Sequence, residues 1–355
     1  MSKSDDAMKK LLDSIGDRGK LKRRRFFGSS IKDQDPWSDG GLSFGINNVM
    51  YGSCDFAWYT EEPWEDPFTQ KNTLYKPILV IEATDCLNTK SWGSAQIQRF
   101  HHALGPFLCN INSIYYLHAG PESVSLRPYL AGSAYYITKY YKTKGLNAAY
   151  LVTTDINDIK DLVDIIARYG ESSKECKQKL DDILLKMLKY FNKTFYSEKY
   201  KGDWIKYLES REITRCADGK WVKDIGARSN SFTIGSQRYG HIVLGEIITS
   251  KYLLYASKLF NPEKDILYYL FPLMTAEEIT ELDNRKRIDK EWNILRRSDK
   301  SWKVIGIDEL DGVPQSILSA IQKYKDTNLN KIRGWRNIKA EIRNGLKTGK
   351  IKIRV

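Results

Sequence analysis

The stretch PILVIEAT, from Pro77 to Thr84, decides the fold, because it is a nearly continuous aliphatic run with one acid, Glu82, near its end. Such a run predicts a central β-strand that is buried on both faces of a sheet. Helix-like and strand-like segments alternate around it. The predicted elements are a helix at 4–16, a strand-like stretch at 49–60, helices at 94–104, 126–141 and 158–169, and strands at 113–118 and 148–153. This alternation predicts an α/β (α+β) fold in which helices flank a mixed central sheet.

Two stretches are predicted to interrupt this pattern. Residues 28–47 are rich in Gly, Ser, Asp and Pro and are predicted to form a loop. The dipeptide Gly105-Pro106 is predicted to end the helix that begins near residue 94, since both residues are helix-stop signals.

The chain is predicted to have three parts. Residues 1–170 form the α/β core, which carries a basic N-terminal arm at Lys20–Phe27. Residues 171–300 are predicted to be mainly helical, with a β-hairpin that turns at Ala217–Lys220, because Asp-Gly is a hairpin-turn signal. Residues 301–355 form a basic C-terminal module.

The C-terminal module has two predicted helices, at 313–324 and 335–346. From Gly345 to Val355 the sequence then alternates Lys or Arg with Ile or Val around Thr348-Gly349. Two helices followed by a short basic wing are typical of a winged-helix DNA-binding module. A basic strand on the edge of the main sheet explains the alternation equally well, and both interpretations stay open.

Composition sets the broad class of protein. Of 355 residues, 41% are hydrophobic and 12% are aromatic, which predicts a folded globular protein and excludes disorder as the dominant state. No run of 18 apolar residues occurs and the N-terminus lacks the apolar core of a secretory signal, so no membrane partner is predicted. Five scattered cysteines without a CxxC pair indicate reduced thiols and a cytoplasmic location.

The formal net charge of +13 is concentrated at the two ends of the chain. Residues 1–32 carry a net charge of +6 and residues 331–355 carry +8. Basic segments with interleaved aromatic residues are typical of proteins that bind a polyanion, because neutralising phosphates releases counterions. The charge pattern therefore predicts a nucleic-acid partner.

Two acids stand in strand-like contexts. Asp55 follows Gly-Ser-Cys, and Glu82 lies near the end of the buried run. A carboxylate in such a strand is costly to bury unless it is paired or holds a cation. Oxygen ligands from neighbouring strands suit Mg²⁺, which can activate water and stabilise charge that develops on a phosphate.

Asp55, then PILVIEAT with Glu82, and then the helix SAQIQRFHHALG with Gln96 and Gln98 resemble the PD-(D/E)xK nuclease superfamily, and within it the type II restriction endonucleases. The order helix, β-meander, helix, strand also fits that core and covers about residues 1–170. The resemblance implies a restriction-endonuclease-like core that cleaves double-stranded DNA with Mg²⁺, with Asp55 and Glu82 as the catalytic metal ligands. A palindromic target would call for a two-fold homodimer.

One position departs from the family pattern, which has a lysine two residues after the glutamate, where this chain has Thr84. Lys90 is the nearest downstream replacement and is predicted to present its ammonium to the attacking water, whereas Lys76 precedes the strand and fits less well. Gln96 and Gln98 are candidate contacts to the scissile phosphate or a metal-bound water, with ordinary helix surface as the alternative. Because the lysine is missing, the chain could also be a member of this family that binds DNA without cutting it.

The histidines are not predicted to bind a metal. His101 and His102 are adjacent on a helix and point about 100° apart, so they cannot easily share one ion. Packing is the predicted role of both, and also of His118 and His241.

Candidate DNA-binding residues occur in the basic arm, in a polar stretch after the hairpin and in the C-terminal segment. They are Lys22, Arg23, Arg24, Arg25, Arg228, Asn230, Arg238, Arg333, Arg336, Lys339 and Arg343. Arginine suits guanine and phosphate, and asparagine suits adenine.

The sequence thus predicts a type II site-specific deoxyribonuclease that hydrolyses phosphodiester bonds in duplex DNA with Mg²⁺. The alternative is a non-catalytic, sequence-specific DNA-binding protein with a C-terminal winged-helix-like module. An RNA-binding protein also fits the charge and the aromatic residues, but the chain has no RNP-type or KH signature.

Overall fold

The computed structural model describes residues 3–25, 42–46, 49–85, 92–118, 128–195, 208–209, 212–224, 248–261, 263–284, 302–325 and 334–354. They fall into two units, Met1–Ser197 with Leu244–Ala256, and Glu198–Val243 with Ser257–Val355. This division differs from the three predicted segments, because a long helix after residue 170 packs in the first unit and the hairpin shares a core with the C-terminal residues. None of the helices in these ranges is long and apolar enough to cross a bilayer.

The first unit is built around one mixed sheet. Its elements are α1 (Lys3–Ile15), β1 (Lys22–Arg25), β2 (Leu42–Ile46), β3 (Val49–Cys54), β4 (Phe56–Thr60), β5 (Trp64–Glu65), β6 (Asn72–Thr73), β7 (Lys76–Asp85), α2 (Trp92–Leu108), β8 (Asn112–His118), α3 (Pro128–Thr143), β9 (Tyr150–Thr153), α4 (Ile156–Tyr169) and α5 (Lys174–Phe195). The sheet order is β1-β4-β7-β8-β9, with β1, β4 and β7 antiparallel and β7, β8 and β9 parallel. The helices α2 and α3 provide the crossovers that parallel strands require. The predicted mixed sheet with flanking helices is confirmed.

The aliphatic run forms the middle strand of this sheet, as predicted. In β7, Leu79, Val80 and Ile81 are completely buried and Ile78 is nearly so. Burial of each such side chain contributes roughly 1.5–3 kcal/mol. The strand is therefore firmly held, and it fixes the position of Glu82.

The strand-like stretch 49–60 forms two strands, β3 and β4, because the chain bends at Asp55 between them. One prediction before β7 needs correction. Within the predicted loop 28–47, Leu42–Ile46 is a strand that pairs antiparallel with β3, and its residues Leu42 and Phe44 are buried. The alternation of these apolar residues with Ser43 and Gly45 is a half-buried strand pattern that the glycines obscured.

The helix α2 passes through Gly105-Pro106 and ends at Leu108, so the predicted stop at this dipeptide is wrong. Pro106 has no N–H to donate to the carbonyl of His102, one turn earlier. The strand β3 crosses the helix at this point with backbone against backbone. A Cβ on Gly52 would lie 2.2 Å from the carbonyl oxygen of His102, and one on Gly105 would lie 2.7 Å from the nitrogen of Gly52. This close packing holds the helix together past the proline.

A buried lysine lies in the helical segment 248–256 of the first unit. Lys251 is 0% exposed, and its Nζ is 5.1 Å from the ring centroid of Tyr140 and 5.5 Å from that of Tyr252. Burial, and then the charge of nearby Lys144, lowers the pKa of Lys251 to about 7. The lysine therefore opposes folding when it is protonated, although the aromatic faces offset part of this effect.

We expect Lys251→Met to raise the free energy of unfolding at pH 7 and below by on the order of a few kcal/mol. Unfolded lysine keeps its proton up to about pH 10.5, whereas folded Lys251 loses it near pH 7. Between these values the unfolded state binds more protons, so wild-type stability rises with pH and the advantage of the variant disappears. Denaturant unfolding at pH 6, 8 and 10 measures this. Lys139→Met, at an exposed lysine of α3, is the control. Equal stability of Lys251→Met and wild type at pH 6 would contradict the expectation.

The second unit has its own sheet. Its elements are β10 (Ile213–Arg215), β11 (Trp221–Asp224), β12 (Leu267–Phe271), α6 (Ala276–Asn284), β13 (Trp302–Gly306), β14 (Leu310–Asp311), α7 (Gln315–Lys325), α8 (Trp335–Thr348) and β15 (Lys352–Ile353). The sheet order is β10-β11-β12-β13, in which β10 and β11 form the predicted hairpin and β11, β12 and β13 run parallel. The predicted mainly helical character of 171–300 is wrong at β12, since Leu267–Phe271 is a fully buried apolar strand.

The C-terminal residues pack onto this second core through Ile338, Ile342 and Leu346 of α8. The helix continues to Thr348 and ends where Gly349 adopts a φ of 76°. The first four residues of the segment Gly345–Val355, in which charged and apolar residues alternate, are therefore helical and do not form a strand. The short strand β15 pairs with β14, which precedes both helices. Within residues 334–354, therefore, neither a two-stranded wing nor an edge strand of a larger sheet is formed.

Candidate active site

The bend between β3 and β4 places Asp55 beside Glu82. Phe56 is the register partner of Ile81, and the N–H of Asp55 donates to the carbonyl of Ile81 at 3.0 Å. The N–H of Ala83 donates to Oδ2 of Asp55, also at 3.0 Å. Because the register continues by one residue to Asp55 and Glu82, the two acids are neighbours across adjacent strands. The structure thus brings together the two acids singled out from the sequence.

The helix α2 covers Glu82 with two basic side chains. Nη1 of Arg99 lies 2.7 Å from Oε1 of Glu82, and Nδ1 of His102 lies 3.4 Å from the same oxygen. On the neighbouring strand β8, buried Tyr115 is the register partner of Glu82. Glu82 is therefore enclosed between β4, β8 and α2, and its side chain is only 1% exposed.

Burial raises the pKa of both carboxyl groups. For Glu82, burial raises the pKa to about 7, while the charge of Arg99 and the hydrogen bond from it act in the opposite direction. For Asp55, burial and then the negative charge of Glu82 raise the pKa well above its ordinary value, against the lowering effects of Arg99, the Ala83 N–H and Lys9. Buried carboxyl groups with such shifts are typical of functional sites.

Three basic side chains of this site were not among the site residues predicted from the sequence. His102 was predicted to have a packing role, and neither Arg99 nor Lys9 was a candidate. Lys9 of α1 is 5% exposed, and its charge lowers the pKa of Asp55. Arg99 and His102 stand three residues apart and so share a helix face, which was a usable signal. Lys9 gave a weaker one, because it stands three residues before buried Leu12 on the same side of α1.

The donors at this site fit a hard divalent cation. Two carboxylates from adjacent strands meet here, and the Ala83 N–H, Arg99 and His102 contact them. Mg²⁺ prefers oxygen ligands and usually keeps several waters or phosphate oxygens besides one or two carboxylates. Across the described ranges, no group of three or more His, Cys, Asp or Glu side chains is arranged for a metal. Asp55 and Glu82 supply the one or two carboxylates with which Mg²⁺ is commonly bound.

The other predicted catalytic residues are only partly placed. Lys90 lies outside the described residues. Gln96 and Gln98 belong to α2, three residues and one residue before Arg99, but their side chains lie outside the description. Lys76 starts β7, at the far end of the strand from Glu82, and its Nζ is 2.6 Å from Glu171 Oε1. The structure therefore supplies Arg99 and Lys9, but neither Lys90 nor Lys76, as described cations near the acids.

The predicted basic arm forms β1, an edge strand of the first sheet. Arg23 and Arg25 both form ion pairs with Asp13 of α1, the second at 2.9 Å. Lys22 and Arg24 alternate with them and belong to the other face of the strand. Part of the charge of the arm is thus neutralised by α1, and Lys22 and Arg25 remain the more exposed, each with a side chain 42% exposed.

Lys339 and Arg343, two of the candidate DNA-binding residues, lie in an ion-pair network of the second unit. Lys339 pairs with Glu212, and Nε of Arg343 lies 3.1 Å from Oδ2 of Asp224. Burial alone would raise the pKa of Glu212. The charges of Lys223, Lys339 and Arg343 outweigh that effect and lower the pKa overall. Lys339 is 7% exposed, so its charge is used inside the unit to hold α8 against the hairpin.

The remaining candidate DNA-binding residues are not placed in detail. Arg228, Asn230, Arg238 and Arg333 lie outside the described residues, and Arg336 lies in α8 with a side chain outside the description.

Comparisons with models of protein families, with curated proteins and with solved structures found no match to this chain.

Proposed function

We propose that this protein is a Mg²⁺-dependent endonuclease of the restriction type, which hydrolyses phosphodiester bonds in double-stranded DNA at specific sequences. The observation that carries the proposal is the pairing of Asp55 with Glu82 across β4 and β7, with α2 and the parallel strand β8 enclosing the pair. This arrangement agrees with the restriction-endonuclease-like core that the sequence resembles. Two buried acids this close repel each other, and the single Arg99 contact offsets only part of that cost, which a bound cation would offset further.

The residues of the site have separable tasks. Asp55 and Glu82 would hold Mg²⁺, which would supply Lewis-acid stabilisation of the charge on the reacting phosphate. The N–H of Ala83 fixes the orientation of the Asp55 carboxylate. Arg99 and Lys9 supply the positive charge that the lysine of the family pattern would supply, because Thr84 cannot carry it. His102 lies close enough to Glu82 to hold or release a proton beside it.

The grip on DNA is assigned to the basic ends of the chain. Lys22, Arg24 and Arg25 on the edge strand β1 contact backbone phosphates, and the C-terminal residues Arg333 and Arg336 add further charge. A two-fold homodimer places one such site on each strand of a palindromic target. Base recognition falls to residues outside the described ranges, among them Arg228, Asn230 and Arg238.

We expect purified protein to convert long duplex DNA into discrete fragments in Mg²⁺ and to leave it intact in EDTA. Discrete fragments require sequence-specific cutting, and sequencing their ends gives the target and the cut position. A gel shift in EDTA on the same DNA shows whether the protein binds it. A smear of random products would contradict site specificity, and intact DNA in Mg²⁺ together with a clear gel shift would contradict catalysis.

Two observations favour a second candidate, a DNA-binding protein that does not cut. Oε1 of Glu82 is occupied by Arg99, and Thr84 stands where the family pattern has lysine. Such a protein binds a specific duplex equally well with Mg²⁺ and with EDTA. The predicted winged-helix wing, which would have supported this candidate, is not formed by the described C-terminal residues.

A further inference from the structure

Arg99 lies between the buried carboxylate and solvent. Its side chain is 37% exposed, whereas that of its partner Glu82 is 1% exposed. The 2.7 Å contact joins one guanidinium nitrogen, Nη1, to one carboxylate oxygen, Oε1. Arg99 is therefore the more exposed of the two basic side chains that contact Glu82, since that of His102 is 13% exposed.

The chemistry of the guanidinium suits a phosphate better than this single contact does. Arginine carries five N–H donors in a planar fork, which matches two oxygens of a phosphate at once. The Glu82 contact uses one nitrogen of that fork in a one-to-one pair. A phosphodiester placed at the mouth of the site can therefore compete for Arg99 through paired hydrogen bonds.

The charges of the site point the same way. Glu82 and Asp55 carry the negative charge, and Arg99 offsets it, since its charge lowers the pKa of both acids. While Arg99 holds Oε1, a divalent cation must displace an arginine to use that oxygen. Once a phosphate draws Arg99 away, the two acids attract a cation without that competitor.

We propose that Arg99 is the phosphate-binding residue of this site, and that its ion pair with Glu82 is the resting contact that DNA must break before a divalent cation binds fully. The inference rests on the proposed function and names the substrate contact and the order of assembly. Because the two ligands relieve the same ion pair, their binding is cooperative, and each raises the affinity for the other by the same factor. The Arg99–Glu82 ion pair thereby limits binding of the divalent cation in the absence of DNA.

The first test measures Mn²⁺ binding by electron paramagnetic resonance in the absence of DNA. At a pH high enough to keep Glu82 ionised without Arg99, Arg99→Met should bind Mn²⁺ about tenfold or more tightly than wild type, because Glu82 loses its competitor. Adding Glu82→Gln to Arg99→Met should abolish this gain. Arg18→Met is a matched control, since Arg18 has a 34% exposed side chain and a 2.8 Å ion pair with Asp164, and it should leave Mn²⁺ binding unchanged.

The second test measures binding of a short target duplex in EDTA by fluorescence anisotropy. Arg99→Met should weaken binding several-fold and lower the slope of log affinity against log salt by about one, as expected for one lost phosphate contact. Glu82→Gln should instead strengthen binding, because it releases Arg99. An ion pair with only a structural role would weaken binding in both variants or in neither.

The outcomes separate this inference from the proposed function. Equal Mn²⁺ affinity of Arg99→Met and wild type, or weaker duplex binding by Glu82→Gln, overturns the role of Arg99 and leaves Mg²⁺-dependent cleavage standing. Absence of Mn²⁺ binding by every variant, with and without duplex, overturns both.

Discussion

Asp55→Asn and Glu82→Gln should each reduce cleavage of duplex DNA by on the order of 10³-fold, which corresponds to about 4 kcal/mol of lost transition-state stabilisation. Each substitution removes a charged oxygen from the cation site and changes the shape of the side chain very little. In Asp55→Asn, the amide oxygen would still accept the hydrogen bond that the Ala83 N–H now donates to Asp55 Oδ2. Single-turnover cleavage rates at saturating enzyme measure the effect, and duplex binding in EDTA should not be weakened.

A loss of folding is separable from this loss of activity. Burial raises the pKa of Glu82 to about 7, so its charged form is already unfavourable in the folded state, and Glu82→Gln should unfold at a temperature close to that of wild type. Asp66→Asn is the matched control, because Asp66 is 6% exposed and accepts hydrogen bonds from Phe68 and Thr69 in the turn between β5 and β6. It should cut at the wild-type rate. Undiminished cleavage by either site variant would refute the assignment of the acids.

The strands and helices of the first unit could be predicted because their signals are local. The aliphatic run at Pro77–Thr84 and the alternation of apolar residues along the helices are properties of consecutive residues, and the structure places β7 and the following elements where these patterns predict them. The adjacency of Asp55 and Glu82 followed from the expectation that neighbouring strands pair. The register that places Asp55 beside Glu82 could not be predicted in this way, since it depends on the bend at Asp55.

The cations of the site depend on contacts between distant parts of the chain. Lys9 lies 46 positions before Asp55 and Arg99 lies 17 positions after Glu82, so their approach is set by how α1 and α2 pack on the sheet. Short-range patterns do not contain that information. For the same reason, Lys339 looked like a free basic residue in a charged segment, whereas the fold pairs it with Glu212, which is 127 positions away.

Local signals also failed where they competed with packing. Gly105-Pro106 predicts a helix end from propensity alone, but the close approach of β3 sustains α2 to Leu108. In the C-terminal module the alternation of charged and apolar residues after Gly345 predicts a strand. The apolar side chain of Leu346 is instead used as part of a helical face on the second core. In both places the structure is decided by a contact with a distant part of the chain, which the adjacent residues of the sequence do not indicate.

Gly52→Ala should lower the free energy of unfolding by about 3 kcal/mol or more, because the added methyl group would meet backbone atoms that cannot rotate away. The new Cβ would lie 2.2 Å from the carbonyl oxygen of His102 and 3.1 Å from its Cα. Relief requires α2 to move off β3, and α2 carries both Arg99 and His102 to Glu82. The variant should therefore lose stability and the ordered site together, which denaturant unfolding and Mn²⁺ binding measure separately.

Gly145→Ala is the control that isolates backbone conformation from steric overlap. Gly145 has a φ of 92°, and a methyl group added there would meet no atom within 4 Å, so alanine should lower stability by only about 1–2 kcal/mol. Gly52 has no positive φ and would suffer overlap alone, as would Gly105, where a Cβ would lie 2.7 Å from the nitrogen of Gly52. If Gly52→Ala proves no more damaging than Gly145→Ala, the backbone contact is not what carries α2 past Pro106, and the placement of His102 against Glu82 must have another cause.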